Sequence, residues 1–289
     1  MTLPFILVVI GPTASSKTKI AIELAKKFNG EIINADAFQI YKELNIGTAK
    51  ATNEETKQAI FHLNGERSIY EKWDINEFLI EAKKIVHNIL SKNKMPILVG
   101  GSNLYIDALI NNYDLSKVKE RSNKYDSCSN DELYNMLLNL NKDKALEIGT
   151  NNRQRLLRAV EIVNTGGDFK SRHAKAYQPI YIMNNLSREE IYQKINKRVE
   201  KMLELGWVDE VENLYIKDKN IDQLNAFKAI GYKTILNSLI CHTKLNIDEI
   251  KQATRNYAKQ QLTWIRHHYE NIIFYDDEVF SKISAILTT

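Results

Sequence analysis

Residues 5–18, FILVVIGPTASSKT, restrict the fold more than any other stretch, because a short apolar strand runs directly into a loop of the kind that holds phosphate. The β-branched run at residues 5–10 is typical of a fully buried parallel strand. Residues 19–28 then alternate apolar and charged side chains at helical spacing. The order of strand, loop and helix predicts an α/β protein whose first loop binds an anion.

The loop follows the phosphate-loop pattern G-x-x-x-x-G-K-S/T. In this pattern backbone N–H groups and a helix N-terminus surround the anion, the lysine neutralises the outer phosphates and the hydroxyl holds Mg²⁺. Gly11, Lys17 and Thr18 fill three of the four fixed positions, and Ser16 stands at the second glycine. Ser16 adds a Cβ close to the anion. The pattern indicates a phosphate site; the alternative is an ordinary Gly-Pro turn before a helix.

Composition bounds the remaining possibilities. A chain of 289 residues with 44% hydrophobic residues can bury one large core or two of moderate size. Cys128 and Cys241 lie far apart without a C-x-x-C partner, so neither a disulfide scaffold nor a cysteine-rich zinc site is expected. No stretch reaches the roughly 20 apolar residues of a membrane span, and no signal peptide precedes the first strand, so we expect a cytoplasmic protein. The net charge of +4 does not by itself indicate nucleic acid.

Predicted strands and helices alternate along the chain. The pattern predicts strand 5–10, helix 17–28, strand 31–34, helix 76–90, strand 96–99, helix 103–110, an extended stretch at 178–183 and helix 187–205. Parallel strands require crossover connections, and helices are the usual ones. The alternation therefore predicts an α/β fold with a parallel sheet covered by helices.

Residues 111–150 differ in composition from the rest of the chain. Asn, Asp, Lys and Ser dominate, and apolar spacing is recognisable only around 133–140. We therefore expect a small helical insertion domain at residues 113–175, within a core domain formed by residues 1–112 and 176–289. From Thr234 onward the pattern predicts helices only, including one over residues 248–268.

Two polar residues follow predicted strands, at the sheet edge where parallel α/β folds bind ligands. Asp36 comes directly after strand 31–34 and is a candidate general base or metal ligand, or else a cap of the next helix. Ser102 follows a glycine pair after strand 96–99 and is either a helix N-cap or a ligand contact. Residues 100–103 should lie near the phosphate loop.

Basic residues concentrate on three predicted helices. Arg155 and Arg158 share one helix face, and helix 187–205 has nearly balanced charge. Residues 251–268 contain four Lys or Arg, two His and no acidic residue, with a four-residue spacing between Lys251, Arg255 and Lys259. Like charges at this spacing repel, so the stripe favours a polyanionic partner.

Seven blocks of sequence make the chain resemble the tRNA dimethylallyltransferases, also called tRNA isopentenyltransferases. In chain order they are GPTASSKT, GEIINADAFQIYKELNIGTAK, PILVGGSNLYIDALI, NRQRLLRAVEI, INKRVEKMLELGWVDEV, AIGYK and TRNYAKQQLTWIR. The resemblance implies a P-loop NTPase-like core with a helical insertion. It also implies transfer of a dimethylallyl group from dimethylallyl diphosphate to N6 of the adenosine immediately 3′ of the anticodon, in tRNAs that read codons beginning with U. Mg²⁺ assists the release of diphosphate in that family.

The resemblance implies roles for individual residues in the transfer reaction. The diphosphate cradle comprises Gly11, Thr13, Ala14, Ser15, Ser16, Lys17 and Thr18. Within it, Lys17 offsets the charge of the leaving group and Thr18 is a ligand of Mg²⁺. Asp36 is the general base for N6, and Arg198 contacts the pyrophosphate. Ser102 stands where the family usually has a threonine beside the reacting groups.

The resemblance also implies contacts with the tRNA anticodon stem-loop, whose target base is flipped into the enzyme. The matching residues are Asp36, Ala37, Phe38, Gln39, Gln154, Arg155, Leu156, Leu157 and Arg158. Ala37 and Phe38 replace a usual Ser-Met pair, which removes one polar group and adds a ring. The insertion is expected to clasp the tRNA, and we expect a monomer without an obligate protein partner.

Three alternatives share parts of this pattern. A small-molecule kinase shares the first strand and the phosphate loop, but not the acid-free stretch at 251–268. A prenyltransferase acting on free adenine nucleotides would keep the loop and Asp36 without a tRNA-directed basic surface. A noncatalytic RNA-binding protein on a P-loop scaffold would be consistent with Ser16.

Overall fold

The computed structural model describes residues 3–113, 124–166 and 174–288. The chain divides into two compact units: an α/β unit made of Met1–Ile110 with Lys175–Thr289, and a helical unit made of Asn111–Ala174. Parts of the expected insertion domain, residues 114–123 and 167–173, lie outside the described residues.

The α/β unit contains one parallel sheet. Its strands in the described residues are β1 (Phe5–Ile10), β2 (Gly30–Asn34), β3 (Phe61–His62), β4 (Met95–Val99), β5 (Gln178–Met183) and β6 (Ile273–Phe274). They lie in the order β3-β2-β4-β1-β5-β6, and every pairing is parallel. In the centre, Leu7 of β1 pairs with Ile97 of β4 and with Ile180 of β5. The predicted parallel sheet is confirmed.

The helices of the described residues complete both units. They are α1 (Lys17–Lys27), α2 (Asn53–Thr56), α3 (Ile75–Ser91), α4 (Asn103–Ile110), α5 (Asn130–Leu140), α6 (Lys142–Ile148), α7 (Arg153–Asn164), α8 (Arg188–Glu204), α9 (Trp207–Lys217), α10 (Tyr232–Ile240), α11 (Ile247–His268) and α12 (Val279–Leu287), with short 3₁₀ turns at Ile221–Gln223 and Asn225–Lys228. Among these described helices, none combines the length and apolar character that crossing a bilayer requires.

The core of the α/β unit lies on both faces of the sheet. Leu7 and Val9 of β1 belong to an apolar cluster with residues of α1 and α12. Ile6, Val8 and Ile10 alternate with them and are also completely buried. Because successive side chains of a strand point to opposite faces, β1 is covered on both sides, as a central parallel strand requires.

The structure corrects two sequence predictions. The C-terminal part is not purely helical, because β6 pairs Ile273 with Ile182 and Phe274 with Met183 of β5. Apolar spacing also continues beyond residue 140, because α6 forms and buries Ala145 against α5 and α7. In both places the element is too short for a periodic pattern to identify it.

Candidate active site

The phosphate loop, residues 11–18, joins β1 to α1 in a conformation that presents helix amides. Gly11 has a φ of 143°, and a Cβ there would lie 2.7 Å from Ser15 Oγ, so this position requires glycine. The Ser15 hydroxyl donates to Pro12 O at 2.8 Å and is buried. No side chain caps the N-terminus of α1. The first amides of α1 therefore have no side-chain partner and can bind an anion.

Ser16 adopts a left-handed backbone conformation, with φ 62° and ψ 26°. This explains why the general pattern has glycine here, because a Cβ in the left-handed region costs on the order of 1 kcal/mol. Ala14 is strained in the same way, with φ 63°. The loop therefore holds two non-glycine residues in an unfavourable conformation, as is common where a ligand binds.

Replacement of Ser16 by glycine is expected to stabilise the protein by about 0.5–1 kcal/mol, because relief of the strain exceeds the entropy that glycine gains in the unfolded chain. Chemical denaturation measures this change. Ser281→Gly is the matched control: Ser281 lies within α12, so glycine there should destabilise the protein by a similar amount. A loss of stability in Ser16→Gly would contradict the assignment of strain.

Two cations, Lys17 of the phosphate loop and Arg198 of α8, lie together at this site. Lys17 Nζ donates to Pro12 O at 2.7 Å, and no carboxylate of the described residues forms an ion pair with either side chain. Burial, and then the charge of Arg198, lower the pKa of Lys17 to about 7, while Asp36 opposes the shift. Burial also lowers the pKa of Arg198, again opposed by Asp36. Two adjacent cations without a paired carboxylate indicate an anionic ligand.

Because the pKa of Lys17 is lowered, the free energy that the fold loses by burying this charged side chain depends on pH. Lys17 has a pKa of about 7 in the folded protein and an ordinary value of 10.5 in the unfolded chain. Between these two pH values the unfolded chain binds more protons than the folded protein. The loss of stability caused by burying the charge is therefore complete below pH 7 and disappears as the pH rises through this window. Lys17→Met should therefore be more stable than wild type at pH 6. The difference in the free energy of unfolding between the variant and wild type should shrink by up to about 1.4 kcal/mol per pH unit above pH 7.

Denaturant unfolding at pH 6, 7, 8 and 9 measures this difference. Lys19→Met is the control: Lys19 lies on the same helix, but its side chain is 78% exposed, so its replacement removes no buried charge. An advantage of Lys17→Met that is the same at pH 6 and pH 9 would contradict the proposed titration of Lys17.

Asp36 lies at the carboxyl end of β2 and holds its own loop. Its Oδ1 accepts hydrogen bonds from Phe38 N at 2.9 Å and Gln39 N at 3.2 Å. The alternative role as a helix cap is excluded, since the next helix after Asp36, α2, begins only at Asn53. No group of the described residues bonds to Oδ2. One carboxylate oxygen therefore fixes the orientation and the other remains available to a substrate.

Ser102 links the ends of β4 and β2. Its Oγ accepts a hydrogen bond from Ala37 N at 3.0 Å, so the hydroxyl holds the Asp36 loop rather than capping α4. The strand ends approach closely, since a Cβ on Gly100 would lie 2.1 Å from Ala35 O. Ser102 is therefore placed beside Asp36, as its position after the strand predicts.

Two residues of α11 that were not predicted to belong to the site also reach it; of these, Tyr257 was expected to be a core anchor. Gln261 accepts a hydrogen bond from Thr13 N at 2.8 Å and donates to Gly101 O at 2.9 Å. The Tyr257 hydroxyl donates to the same carbonyl at 3.1 Å, and burial raises its pKa. These bonds confirm that residues 100–103 lie near the phosphate loop. The sequence does contain a pattern that could have identified Gln261: it is a polar residue on the same buried face of α11 as Ala258.

The remaining predicted residues of the Asp36 loop are half-buried. Gln39 closes the loop on itself, because its Nε2 donates to Thr48 O at 2.9 Å and to Ala49 O at 3.2 Å. Its Oε1 accepts from Asn34 Nδ2 at 2.9 Å. Ala37 is held by Ser102, as described above. These contacts give the segment after β2 a defined conformation.

In the helical unit, the predicted contact residues on α7 divide into two groups. Gln154 and Arg155 are exposed, and Arg158 forms an ion pair with Glu161 at 3.0 Å. Leu156 and Leu157 are buried in the core of the unit, against α5. Any RNA contact by these side chains therefore depends on the polar members, and the two leucines hold the helix in place.

The structure also corrects the basic stripe predicted on α11. Lys251 forms an ion pair with Glu200 of α8 at 2.6 Å, and Arg255 donates to Asn196 of the same helix at 2.7 Å. The neighbouring helix thus supplies an acidic partner for Lys251 and a neutral hydrogen-bond acceptor for Arg255. Of the three evenly spaced cations, Lys259 remains exposed. Packing between α8 and α11 therefore compensates the charge of one of the three cations that had favoured a polyanion.

Comparison with known proteins places this arrangement in a family. The model of the IPP transferase family matches residues 39–268, well over half of the chain. The chain belongs to the IPP transferase family. A tRNA dimethylallyltransferase of Malacoplasma penetrans is 39% identical over 98% of this chain and 97% of its own. One of Streptococcus pyogenes serotype M4 is also 39% identical, over 92% and 89%.

Solved structures of IPP transferases share the fold. The full-length tRNA isopentenylpyrophosphate transferase of Bacillus halodurans matches with a TM-score of 0.74 and 31% identity, covering 99% of this chain and 96% of that protein. A eukaryotic dimethylallyltransferase acting on tRNA matches with a TM-score of 0.82 and 26% identity, covering 98% and 78%. The family assigned from the sequence therefore agrees with the fold of this chain.

Proposed function

We propose that this IPP transferase moves a dimethylallyl group from dimethylallyl diphosphate to N6 of the adenosine immediately 3′ of the anticodon of tRNA, in tRNAs that read codons beginning with U. The names of the relatives support the reaction class. The observation that supports it most directly is the pair of cations, Lys17 and Arg198, held without a carboxylate partner among the described residues and beside Asp36.

The phosphate side of the reaction is assigned to the loop and α8. Breaking the bond between the allylic carbon and the diphosphate oxygen leaves negative charge on pyrophosphate. Amides at the N-terminus of α1, together with Lys17 and Arg198, can stabilise this charge more strongly in the transition state than in the ground state. The strained loop is consistent with such a preorganised site.

The acceptor side is assigned to Asp36. As the bond from N6 to the allylic carbon forms, the amino group must lose a proton, and Oδ2 of Asp36 can accept it. Oδ1 stays bonded to Phe38 N and Gln39 N, which fixes the direction of the carboxylate. Ser102 supports this loop through Ala37. The carboxylate thereby orients and activates a weak nucleophile.

The donor set fits Mg²⁺ bound mainly by the substrate. The Thr18 hydroxyl lies on the first turn of α1, and the described residues contain no cluster of three His, Cys, Asp or Glu that could hold a metal. Mg²⁺ commonly takes few protein ligands and completes its shell with phosphate oxygens and water. When bound, it would offset charge on the pyrophosphate. Thr18 would be its protein ligand.

We assign tRNA recognition to two segments, the Asp36 loop and α7 of the helical unit. The exposed Gln154 and Arg155 offer polar and positive groups, which suit phosphate and base contacts. The target adenosine must leave the stacked anticodon loop for N6 to reach a carboxylate in the α/β unit. We infer that the helical unit clasps the anticodon stem-loop.

A single assay tests this function. Purified protein is incubated with dimethylallyl diphosphate, Mg²⁺ and an unmodified tRNA with adenosine 3′ of its anticodon, and nuclease fragments are examined by mass spectrometry. We expect one dimethylallyl group on that adenosine. Modification of free adenosine monophosphate instead would favour the prenyltransferase of free nucleotides. Salt-sensitive tRNA binding without any adduct would favour the noncatalytic alternative.

A further inference from the structure

Gln261 is a polar side chain in the interior of the α/β unit, with 3% of its surface exposed. Both ends of its amide are used. Oε1 accepts from Thr13 N in the phosphate loop, and Nε2 donates to Gly101 O after β4, at 2.8 and 2.9 Å. Each contact needs a different half of the amide, so an isosteric carboxylate or thioether cannot make both. The side chain therefore bridges two loops that follow different strands.

These two loops belong to opposite halves of the candidate site. Thr13 begins the turn that leads to Lys17. Gly101 precedes Ser102, whose hydroxyl accepts from Ala37 N in the loop of Asp36. Gln261 thus completes a connection from the phosphate loop to the Asp36 loop that consists of three hydrogen bonds and the peptide bond between Gly101 and Ser102. The backbone of α11 adds a second contact with the same region, because Asn103 Nδ2 donates to Gln261 O at 3.3 Å.

We propose that Gln261 is a positioning residue, which holds the phosphate loop in its anion-binding conformation and in register with the Asp36 loop. The inference rests on the proposed function in one respect, that the loop binds a diphosphate. The loop contains left-handed residues at Ala14 and Ser16, so it needs external contacts to stay in this conformation. A buried hydrogen-bonding side chain from a long helix supplies such a contact.

Titration calorimetry with inorganic pyrophosphate and Mg²⁺ tests the proposal. Gln261→Met keeps the length and volume of the side chain but removes both hydrogen bonds, and we expect pyrophosphate to bind about tenfold more weakly. Gln260→Met is the matched control, since Gln260 is the neighbouring, exposed glutamine of the same helix, and it should bind like wild type. The dissociation constant for tRNA should stay within twofold of wild type in both variants.

A second variant keeps the test decisive if Gln261→Met folds poorly. A Cβ on Gly101 would lie 2.5 Å from Gln261 Nε2, so Gly101→Ala displaces the amide while Gln261 remains. It should also weaken pyrophosphate binding. A folded variant of either kind that melts earlier yet binds pyrophosphate within twofold of wild type would overturn the positioning role alone. A wild-type protein that does not bind pyrophosphate would overturn the proposed function and this inference together.

Discussion

Replacement of Asp36 by asparagine is expected to lower the rate of dimethylallyl transfer by about 10²–10⁴-fold, the range typical of a lost general base. Asparagine keeps an oxygen that accepts from Phe38 N and Gln39 N, but it offers an amide where the carboxylate offers a proton acceptor. Pyrophosphate should bind equally well or more tightly, because a negative charge beside Lys17 and Arg198 is removed. Single-turnover rates and calorimetry separate the two effects.

Asp74→Asn is a matched control for this substitution. Asp74 Oδ1 accepts from Asn76 N and Glu77 N at the start of α3, which is the same two-amide pattern. Its replacement should leave the transfer rate unchanged. A transfer rate of Asp36→Asn within a few fold of wild type would remove Asp36 from the role of base. If Asp36→Asn also lost pyrophosphate binding, the substitution would have disturbed the conformation of the site rather than the proton transfer alone.

Replacement of Arg198 by methionine is expected to weaken pyrophosphate binding and to lower kcat by about 10²–10³-fold, because one of the two cations that we propose to stabilise the leaving group is lost. A second effect follows from the coupling of charges. Arg198 lowers the pKa of Lys17, so its removal should raise that pKa. The pH above which pyrophosphate affinity declines should then move upward, which calorimetry between pH 6 and 9 measures.

Lys197→Met is the control for Arg198, because Lys197 precedes it on α8 and is exposed. This variant should keep the wild-type kcat/KM for dimethylallyl diphosphate and the wild-type pH dependence. Wild-type kcat/KM in Arg198→Met would contradict the assignment to the leaving group. A lowered kcat with an unchanged pH dependence would contradict the electrostatic coupling between Arg198 and Lys17.

The long elements of the fold were predictable because local pattern determines them. The apolar run of β1 and the helical spacing of α1 predicted both elements to within one residue. β3 and β6 have two residues each, and a segment that short has no alternation to recognise. Their pairing depends on neighbours that are distant in the chain. The order of strands across the sheet likewise follows from packing.

The candidate site divides in the same way. The sequence was sufficient to propose the phosphate loop, Asp36 and Ser102 as site residues. Each follows a predicted strand, and ligands bind at that edge of a parallel sheet. Lys251 was misjudged as part of a free basic surface, since its partner Glu200 lies on another helix. Sequence spacing within one helix cannot reveal compensation of charge between helices.

The sequence by itself determined the parallel α/β core, the phosphate loop and the identity of its charged residues, because these depend on residues close together in the chain. The tertiary structure alone decided that Ser16 lies in the left-handed region, that Ser102 holds Ala37, and that Gln261 bridges Thr13 and Gly101. Such contacts join residues up to 248 positions apart. They form only after the sheet has brought its strand ends together, so no local pattern encodes them.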